Sequence, residues 1–537
     1  MSERFYSYVS TKCGADCVQT IFLCAPEKYA INEEKAREFA VLSGWIDQVE
    51  KNAALLIMLI VPNGWNDFSS DALLIFYNKY KNEFKSPTGI SIPGRDGIIW
   101  LWETMIYAVG YDEGADYLGN VLVKHSNFFA GAALINGGAS DFSPMNEKTD
   151  HWFVAQPTSD YCVLNKEVPV PVWLFGYTKN TEASSRYFSE INHTDHILTD
   201  TINSIDVEIH YNLKEPAQQV RTSFENSRVD LVIAKTIMNE LFNKSIRWKN
   251  SPDGTIKRYL GRNEYLTSQR FKHYSVKCGN FDYPYSVHIP NGLNIDDIKG
   301  YPLVISLHGR GEPTWVFAEK NGWDKLADET KEFIVVFPDS KFNIWQIERD
   351  YDALETILND LKKTYEYEPE RVYLTGFSNG AIYTCQQAST HPWLFAAASP
   401  WNGPDMETCK KGNIASYVYH PDFIDSDYEL PFFIIVGDND SKAIADRHDE
   451  LEIVLPINGC SFLNEEELKN YYTNENKFEE GHRFKTRLYL NKNLSPRVGL
   501  TVMKNMPHGA IFDESRAAWN FMKRFRRPNR NKHIEEV

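Results

Sequence analysis

The sequence predicts an α/β protein made of two tandem domains, each with a mostly parallel sheet flanked by helices. Three observations lead to this prediction: a length of 537 residues, an alternation of strand-like and helix-like segments, and an internal repeat. The length is too great for one compact core, and a hydrophobic content of 42% is enough for folding throughout. Disordered and fibrous classes are therefore excluded.

Segments of the second half alternate between strand and helix patterns. Short continuous apolar runs occupy residues 301–307, 332–337 and 371–375, and residues 352–365 have helical spacing. This alternation is typical of a largely parallel sheet that is covered by helices.

The two halves of the chain share an internal repeat. Residues 110–117 resemble residues 376–383, and each segment is followed by a helix-length stretch and then by an Asn-Gly pair, at 136–137 and 402–403. Several other landmarks keep the same order in both halves, which is hard to obtain by chance. The sequence therefore predicts that one fold occurs twice.

The boundary between the two copies is predicted near residue 250, in the Pro- and Gly-containing segment 249–254. The first domain then covers residues 1–245 and the second covers residues 250–537. Residues 255–288 are rich in Tyr and Val around turn signals, which predicts antiparallel hairpins leading into the second sheet.

Composition and charge exclude several classes of partner. Lys and Arg number 57 against 73 Asp and Glu, and the net charge of −16 counts against broad binding of nucleic acid or anionic lipid. We interpret the basic run at 523–527 as a solvated last helical turn. The longest apolar stretch, 53–61, is half or less of the ~20 residues of a membrane helix. With no apolar leader at the N-terminus, we expect a cytoplasmic protein without a membrane partner.

A pentapeptide in the second half has the pattern of a nucleophile elbow. Residues 376–380 read Gly-Phe-Ser-Asn-Gly and lie between a predicted strand and a helix-capable segment. Small residues must flank the serine because the turn is tight, and the helix N-terminus behind it favours developing negative charge. This context predicts that Ser378 is a nucleophile.

A serine nucleophile needs a base and a carboxylate later in the chain. Asp440 and His508 each follow a buried-strand run, so we expect them at the same sheet edge as Ser378. Asp438 competes with Asp440, but its place directly after Gly437 favours a bracing role. Three histidines follow no clear strand end and are weaker base candidates: His420, His448 and His482.

An acyl-transfer site also needs two backbone N–H groups to stabilise the oxyanion. One is predicted at Asn379, directly after the nucleophile. The other is assigned to Arg310, in the loop His-Gly-Arg-Gly at 308–311, where glycines let the backbone approach a substrate. A loop that merely shapes the sheet edge is the alternative for this second motif.

These motifs together resemble one branch of the α/β-hydrolases. The segments 307–311, 371–381, 394–400 and 506–509, together with Trp345, are similar to polyhydroxybutyrate depolymerases and feruloyl esterases. The resemblance covers about residues 255–527. It implies Ser378 as nucleophile, Asp440 as acid, His508 as base, and Arg310 and Asn379 as oxyanion donors.

The first copy lacks most of this set in the sequence alignment. Asp112 stands at the position of the nucleophile, Lys179 at that of the acid, and Pro26, which has no N–H, at that of the first oxyanion donor. No histidine follows the strand-like segment 205–210. We therefore expect a non-catalytic copy retained for packing, dimerisation or shaping the active site, with an independent activity based on Asp112 as the alternative.

The predicted function is that of a serine esterase acting on a small-molecule carboxylic ester with a hydroxyacyl, aryl or short acyl group. A serine peptidase of the same fold and a non-catalytic scaffold of two hydrolase-like domains are the alternatives. No metal, no cofactor and no nucleic acid are implied. Homo-oligomerisation is left open.

Overall fold

The computed structural model of the chain falls into two compact units, Met1–Gly261 and Arg262–Val537. The predicted domain start at 249–254 lies outside the described residues. The structure describes residues 5–12, 17–83, 85–86, 89–91, 98–149, 164–225, 228–247, 256–258, 262–403, 427–438, 440, 448–464, 466, 474–475, 484–503, 506 and 508–537.

The first unit contains a large sheet, a two-stranded sheet and six described helices. Its strands are β1 (Phe5–Val9), β2 (Cys17–Cys24), β3 (Leu55–Leu59), β4 (Lys85–Ser86), β5 (Gly89–Ser91), β6 (Ile98–Tyr111), β7 (Gly131–Ile135), β8 (Val172–Phe175), β9 (His196–Ile202), β10 (Ile205–Tyr211), β11 (Gln219–Ser223), β12 (Ser245–Arg247) and β13 (Ile256–Arg258). Its helices are α1 (Glu33–Leu42), α2 (Trp45–Lys51), α3 (Ala72–Glu83), α4 (Glu113–Lys124), α5 (Lys179–Ile191) and α6 (Leu231–Glu240).

The second unit contains a ten-stranded sheet, a small two-stranded sheet and eight described helices. Its strands are β14 (Lys272–Cys278), β15 (Phe281–His288), β16 (Leu303–Leu307), β17 (Ile334–Pro338), β18 (Val372–Phe377), β19 (Ala397–Trp401), β20 (Phe432–Gly437), β21 (Asn474–Glu475), β22 (Phe484–Leu490), β23 (Pro496–Met503), β24 (Phe525–Arg526) and β25 (Glu535–Glu536). Its helices are α7 (Arg262–Thr267), α8 (Thr314–Asn321), α9 (Trp323–Thr330), α10 (Ile347–Asp350), α11 (Ala353–Leu361), α12 (Asn379–Thr390), α13 (His448–Ile457) and α14 (Phe512–Met522).

The two large sheets have the same strand order. The first runs β1-β3-β2-β6-β7-β8-β11-β10-β9, and the second runs β15-β17-β16-β18-β19-β20-β23-β22-β21, preceded by β14. In both, the inner strands pair in parallel and the outer pairs are antiparallel at matching places. The predicted fold class, two tandem α/β-hydrolase-like domains, is therefore confirmed.

The burial of the strands explains why the sequence indicates a parallel sheet. The inner strands β16, β18 and β20 are buried along their whole length, since helices cover both faces of such a sheet. Towards one edge of the first sheet, β10 starts with alternating buried and exposed residues, as expected where one face meets water.

A buried arginine occupies the same position in each unit. The Arg247 Nε donates to the Phe129 carbonyl at 2.6 Å, and the Arg527 Nε donates to the Phe395 carbonyl at 2.7 Å. Both arginines lie shortly after the last helix of their unit. Because the sequences around them differ, this correspondence is visible in the structure but not in the sequence repeat.

The basic run at 523–527 is therefore not the solvated helical turn that we expected. Helix α14 ends before it, and Arg527 is 2% exposed and also donates to the carbonyls of Asn531 and Glu429. Burial lowers the pKa of Arg527 to about 10, which leaves the guanidinium charged at neutral pH. The dipoles of these carbonyl groups balance the charge of the guanidinium. The same hydrogen bonds attach the C-terminal segment to the sheet.

Replacing this arginine is expected to destabilise the second unit. Arg527→Met removes a charged donor from several carbonyl groups and should lower the free energy of unfolding by about 3 kcal/mol. Arg526→Met is the matched control, because its exposed ion pair with Glu535 is screened by solvent and its loss should leave the urea midpoint nearly unchanged. Urea unfolding of both variants measures the difference, and equal midpoints would contradict the assigned role.

Candidate active site

Ser378 lies in a strained turn between β18 and α12. Its backbone has φ 54° and ψ −113°, a region that non-glycine residues rarely occupy. A Cβ on Gly380 would lie 2.4 Å from the Leu307 carbonyl oxygen, so only glycine permits the helix to approach β16 this closely. The elbow predicted from the sequence thus has a steric cause in the crossing of α12 over the strand end.

The structure brings Ser378, His508 and Asp440 together by hydrogen bonds. The Ser378 Oγ lies 2.8 Å from His508 Nε2, and His508 Nδ1 lies 2.7 Å from Asp440 Oδ2. An ionised carboxylate can only accept, so Nδ1 carries the proton and Nε2 is free to accept from the serine hydroxyl. The Asp440 side chain is fully buried, whereas that of His508 is 22% exposed. The predicted catalytic roles of these residues stay predictions.

Asn402 links the loops that carry the acid and the histidine. Its side-chain oxygen accepts from the Gly437 N–H at 2.7 Å, and its Nδ2 donates to the Gly509 carbonyl at 2.7 Å. Gly437 is the last residue of β20, three residues before Asp440, and Gly509 directly follows His508. One buried amide therefore sets the spacing of two loops that follow adjacent strands. The Asn-Gly pairs of the sequence repeat mark this position, but their role could not be inferred from it.

The loop that carries Arg310 is held by hydrogen bonds on both sides. The Gly309 N–H donates to Glu312 Oε2 at 3.4 Å, and the Gly311 N–H donates to the Asn343 carbonyl at 2.7 Å. Arg310 lies between these two amides, and its side chain is exposed. This arrangement orders the backbone at the predicted oxyanion position.

The side chain of Asn379 connects the elbow to Trp345. The Trp345 N–H donates to Asn379 Oδ1 at 2.7 Å, and Asn379 Nδ2 donates to the Trp345 carbonyl at 3.2 Å. The Trp345 indole N–H also donates to the His308 carbonyl at 3.2 Å. Trp345 thus contacts both loops that are predicted to supply oxyanion donors.

The indole ring of Trp345 packs against a buried tyrosine. Trp345 stacks on Tyr383 with ring centroids 4.8 Å apart and an interplanar angle of 7°. Burial raises the pKa of Tyr383 well above its ordinary value, so the phenol stays protonated and donates to the Asp350 carbonyl. The stack and this hydrogen bond restrict the position of Trp345.

A buried ion pair lies behind the oxyanion loop. Glu312 and Lys320 pair at 3.0 Å, and the Lys320 ammonium lies 4.1 Å from the centroid of the Phe377 ring. Phe377 in turn contacts the His508 imidazole, with centroids 5.0 Å apart. Neither Glu312 nor Lys320 could be selected from sequence patterns, because the contacts that connect them to Phe377 and His508 join separate elements.

The competing candidates lie elsewhere or outside the described residues. Asp438 is exposed, and its N–H donates to the Met503 carbonyl at 3.0 Å. His448 is exposed at the start of α13 and lies 3.3 Å from Glu452. His420 and His482 lie outside the described residues.

The first unit has an elbow with the same backbone. Asp112 has φ 50° and ψ −119°, close to the values at Ser378. A Cβ on Gly114 would lie 2.3 Å from the Cys24 carbonyl oxygen, which matches the approach of Gly380 to Leu307. The sequence alignment of Asp112 with Ser378 therefore agrees with the backbone geometry.

The sequence alignment of Pro26 with Arg310 is wrong by one residue. Trp65 donates its indole N–H to the Ala25 carbonyl at 2.9 Å, as Trp345 does to His308. Ala25 thus matches His308, and Glu27 takes the place of Arg310. The Glu27 N–H lies 3.3 Å from Glu113 Oε2, so a carboxylate of the same chain occupies the donor.

The expected histidine loop of the first unit was also placed after the wrong strand. Strand β10 is antiparallel to its neighbours, whereas β11 pairs in parallel with β8, as β23 does with β20. The loop that matches the His508 loop therefore begins after Ser223, and residues 224–230 contain no histidine. Lys179 begins α5 at the place where the second unit has its acid loop.

The strand order and the elbow are those of the α/β-hydrolase fold. No family model matches the chain. A bifunctional acetylxylan esterase/xylanase of Neocallimastix patriciarum is 31% identical over 123 residues, which are 22% of this chain and 18% of that protein. Poly(3-hydroxyalkanoate) depolymerase C of Paucimonas lemoignei is 31% identical over 130 residues, 22% of this chain and 30% of that protein.

These matches span less than a third of either relative. They confirm the resemblance to the branch of depolymerases and esterases that the motifs predicted. Among solved structures, the acetyl xylan esterase from Aspergillus awamori is 15% identical with a TM-score of 0.35, over 47% of this chain and 99% of that chain. A feruloyl esterase module from Clostridium thermocellum complexed with sinapinate is 14% identical with a TM-score of 0.31, over 46% and 84%.

Two features are absent from the described ranges. No helix within them combines the length and apolar character that crossing a bilayer requires. Among the same residues, no group of three or more His, Cys, Asp or Glu side chains is placed to hold a metal ion.

The two aspartates after β20 should differ sharply in their effect on turnover. Asp440→Asn removes the carboxylate that fixes the His508 tautomer and should lower kcat by about three to four orders of magnitude. Asp438→Asn is the matched control and should change kcat by less than about threefold. Steady-state hydrolysis of an aryl ester measures both, and the reverse ranking would show that Asp438 is the acid.

Proposed function

We propose that the second unit is a serine esterase that hydrolyses carboxylic esters through an acyl-enzyme. The observation that carries this proposal is the continuous hydrogen-bonded series from the Ser378 Oγ through His508 to the buried Asp440. The esterase relatives support the class of reaction. A scaffold without activity would have no need to keep this series of bonds.

The proposed mechanism follows from the positions of these atoms. The Ser378 Oγ attacks the ester carbonyl carbon while its proton passes to His508 Nε2. Asp440 stabilises the imidazolium through Nδ1. The N–H groups of Arg310 and Asn379 stabilise the oxyanion of the tetrahedral intermediate.

Collapse of the intermediate expels the alcohol, which takes its proton from His508. A water molecule then gives a proton to His508 Nε2 and attacks the acyl carbon. The second tetrahedral intermediate releases the carboxylic acid and restores the Ser378 hydroxyl. No step of this mechanism is a redox step.

The acyl group is proposed to be a hydroxyacyl, aryl or short acyl group. The relatives are described as acting on acetylated xylan and on polyhydroxyalkanoate, which supports ester substrates of this range. A serine peptidase would use the same triad, and parallel assays with aminoacyl amides separate the two activities. A cytoplasmic location and homo-oligomerisation stay predictions.

Replacement and labelling of the serine test the proposal directly. Ser378→Ala should lower ester hydrolysis by at least about 10⁴-fold, because the variant lacks the hydroxyl that is proposed to form the acyl-enzyme. A fluorophosphonate should label Ser378 in the unaltered chain, and peptide mapping by mass spectrometry identifies the site. Labelling of another serine, or full activity of a folded Ser378→Ala variant, would refute it.

We further propose that the first unit does not catalyse this reaction. Its elbow carries Asp112, residues 224–230 after β11 contain no histidine, and the Glu27 N–H already has the Glu113 carboxylate as acceptor. These features favour a structural role over an independent Asp112-based activity.

Substitution of Asp112 should leave turnover nearly unchanged. Asp112→Ala is expected to keep kcat within about twofold, because residues 224–230, which match the His508 loop, contain no histidine that could act as its base. Activity towards the same aryl ester measures the effect, and circular dichroism controls for folding. A large loss of kcat in the folded variant would assign a catalytic role to the first unit.

A further inference from the structure

Another buried ion pair lies on α10, directly after the loop that carries Trp345. Arg349 donates to both carboxylate oxygens of Asp350, from Nε to Oδ1 at 2.6 Å and from Nη2 to Oδ2 at 2.7 Å. The Asp350 side chain is fully buried, and that of Arg349 is 12% exposed. A planar guanidinium that bonds a carboxylate at two points has a fixed orientation. The pair can therefore hold in place the groups that it bonds.

The pair bonds the backbone on both sides of Trp345. Arg349 Nη2 also donates to the Ile344 carbonyl, and the Gln346 N–H donates to Asp350 Oδ2 at 2.8 Å. Ile344 directly precedes Trp345, and Gln346 directly follows it. One ion pair thus holds the backbone on each side of the tryptophan.

Two tyrosines connect the same pair to the sheet and to the elbow helix. Tyr283 of β15 donates its hydroxyl to Asp350 Oδ1 at 2.6 Å. Tyr383 of α12 stacks on Trp345 and donates its hydroxyl to the Asp350 carbonyl. A buried carboxylate with donors from several elements is restricted in position, and so is the segment that it holds.

The polar groups of Trp345 bond the two loops that are predicted to supply oxyanion donors. Its N–H and its carbonyl bond the Asn379 side chain, and its indole N–H bonds the His308 carbonyl, two residues before Arg310. A displacement of Trp345 would therefore displace both loops. Because an oxyanion donor acts over a narrow range of distance, a shift of about 1 Å is enough to lower the rate.

We propose that Arg349 and Asp350 are positioning residues for the oxyanion donors. They act through Trp345, and they hold the N–H groups of Arg310 and Asn379 where both can reach one oxygen atom. The proposal rests on the proposed function and adds the residues outside the triad that set the geometry of the transition state. A role confined to the stability of α10 is the alternative, and it predicts a less stable chain with an unchanged site.

Asp350→Asn tests this role, because the amide would place an N–H₂ donor against donors that now bond the carboxylate. Hydrolysis of an aryl ester is measured per Ser378 that a fluorophosphonate labels to completion. On this scale kcat should fall about tenfold or more, while KM should stay within about threefold.

Inhibition by trifluoroacetophenone tests the oxyanion directly. The Ser378 Oγ bonds the ketone carbon, the Oγ proton passes to His508, and the carbonyl oxygen becomes an oxyanion. The inhibition constant should therefore rise about tenfold or more in Asp350→Asn, as kcat falls. A chain that is only less stable would change neither kcat per labelled serine nor this constant.

Asp360→Asn is the matched control variant. Asp360 likewise accepts from a tyrosine hydroxyl of β15, that of Tyr285 at 2.7 Å, and it also bonds Lys363 at 2.9 Å. These partners lie on β15 and after α11, and neither belongs to the Trp345 loop. Asp360→Asn should therefore keep kcat, KM and the inhibition constant within about twofold.

A milder variant tests the proposal if Asp350→Asn does not fold. Arg349→Lys keeps the positive charge, but an ammonium cannot bond Asp350 at two points and the Ile344 carbonyl as the guanidinium does. It should cause a smaller loss of kcat per labelled serine, again with little change in KM. An unchanged kcat in the folded variants, or an equal loss in Asp360→Asn, would overturn the proposal.

Hydrogen exchange separates this proposal from the proposed function, since it needs no turnover. In full-length Asp350→Asn, mass spectrometry should show faster exchange than in the unaltered chain at residues 344–346 and 308–312, and equal exchange in β23. This result in a chain that hydrolyses no ester would support the link from the ion pair to the loop, and the esterase proposal would then fail alone. Unaltered exchange at 308–312 would refute the positioning role even if kcat falls.

Discussion

The approach of Gly380 to the carbonyl groups of Leu307 and His308 is the constraint on which the site depends. It fixes the distance between the elbow and the loop that carries Arg310, because any side chain at this position would separate α12 from the end of β16. The strained backbone at Ser378 and the bonds between Asn379 and Trp345 follow from this crossing.

The first unit keeps the same constraint, although we propose that it does not catalyse the reaction. Gly114 packs against the Cys24 carbonyl as closely, and Asp112 keeps the strained backbone, although the side chains at the strand ends differ. The strain of an elbow is therefore imposed by the packing of a helix on a sheet. A strained residue at this position indicates the fold, whereas the hydrogen-bonded partners of its side chain indicate the chemistry. In the first unit the Asp112 side chain accepts from Asn136 Nδ2. Residues 224–230, which match the His508 loop, contain no histidine.

Local patterns predicted that Ser378, Asp440 and His508 lie at one sheet edge, where the structure brings them together, because each follows a strand with a clear apolar run. These patterns did not predict which strands pair when the strands are far apart in the sequence. β11 carries polar residues such as Gln219 and Arg221 and was not recognised as an inner strand, so the histidine loop was sought after β10. The one-residue error at Pro26 has a similar cause, since the register of that loop is fixed by Trp65 and Gly114.

Asn136 and Asn402 occupy corresponding backbone positions in the two units, but their side chains have different partners. Asn136 follows β7, Asn402 follows the corresponding strand β19, and both have positive φ. The last residue of each strand accepts a hydrogen bond from the backbone N–H of the elbow residue, which is Asp112 in the first unit and Ser378 in the second. In the second unit the amide joins Gly437 to Gly509, which sets the acid and histidine loops side by side. In the first unit the amide of Asn136 donates to Asp112 instead, and the Gly176 N–H bonds the carbonyl of Ser223. The amide therefore joins two loops of the candidate site in the second unit, whereas in the first unit it bonds the elbow residue.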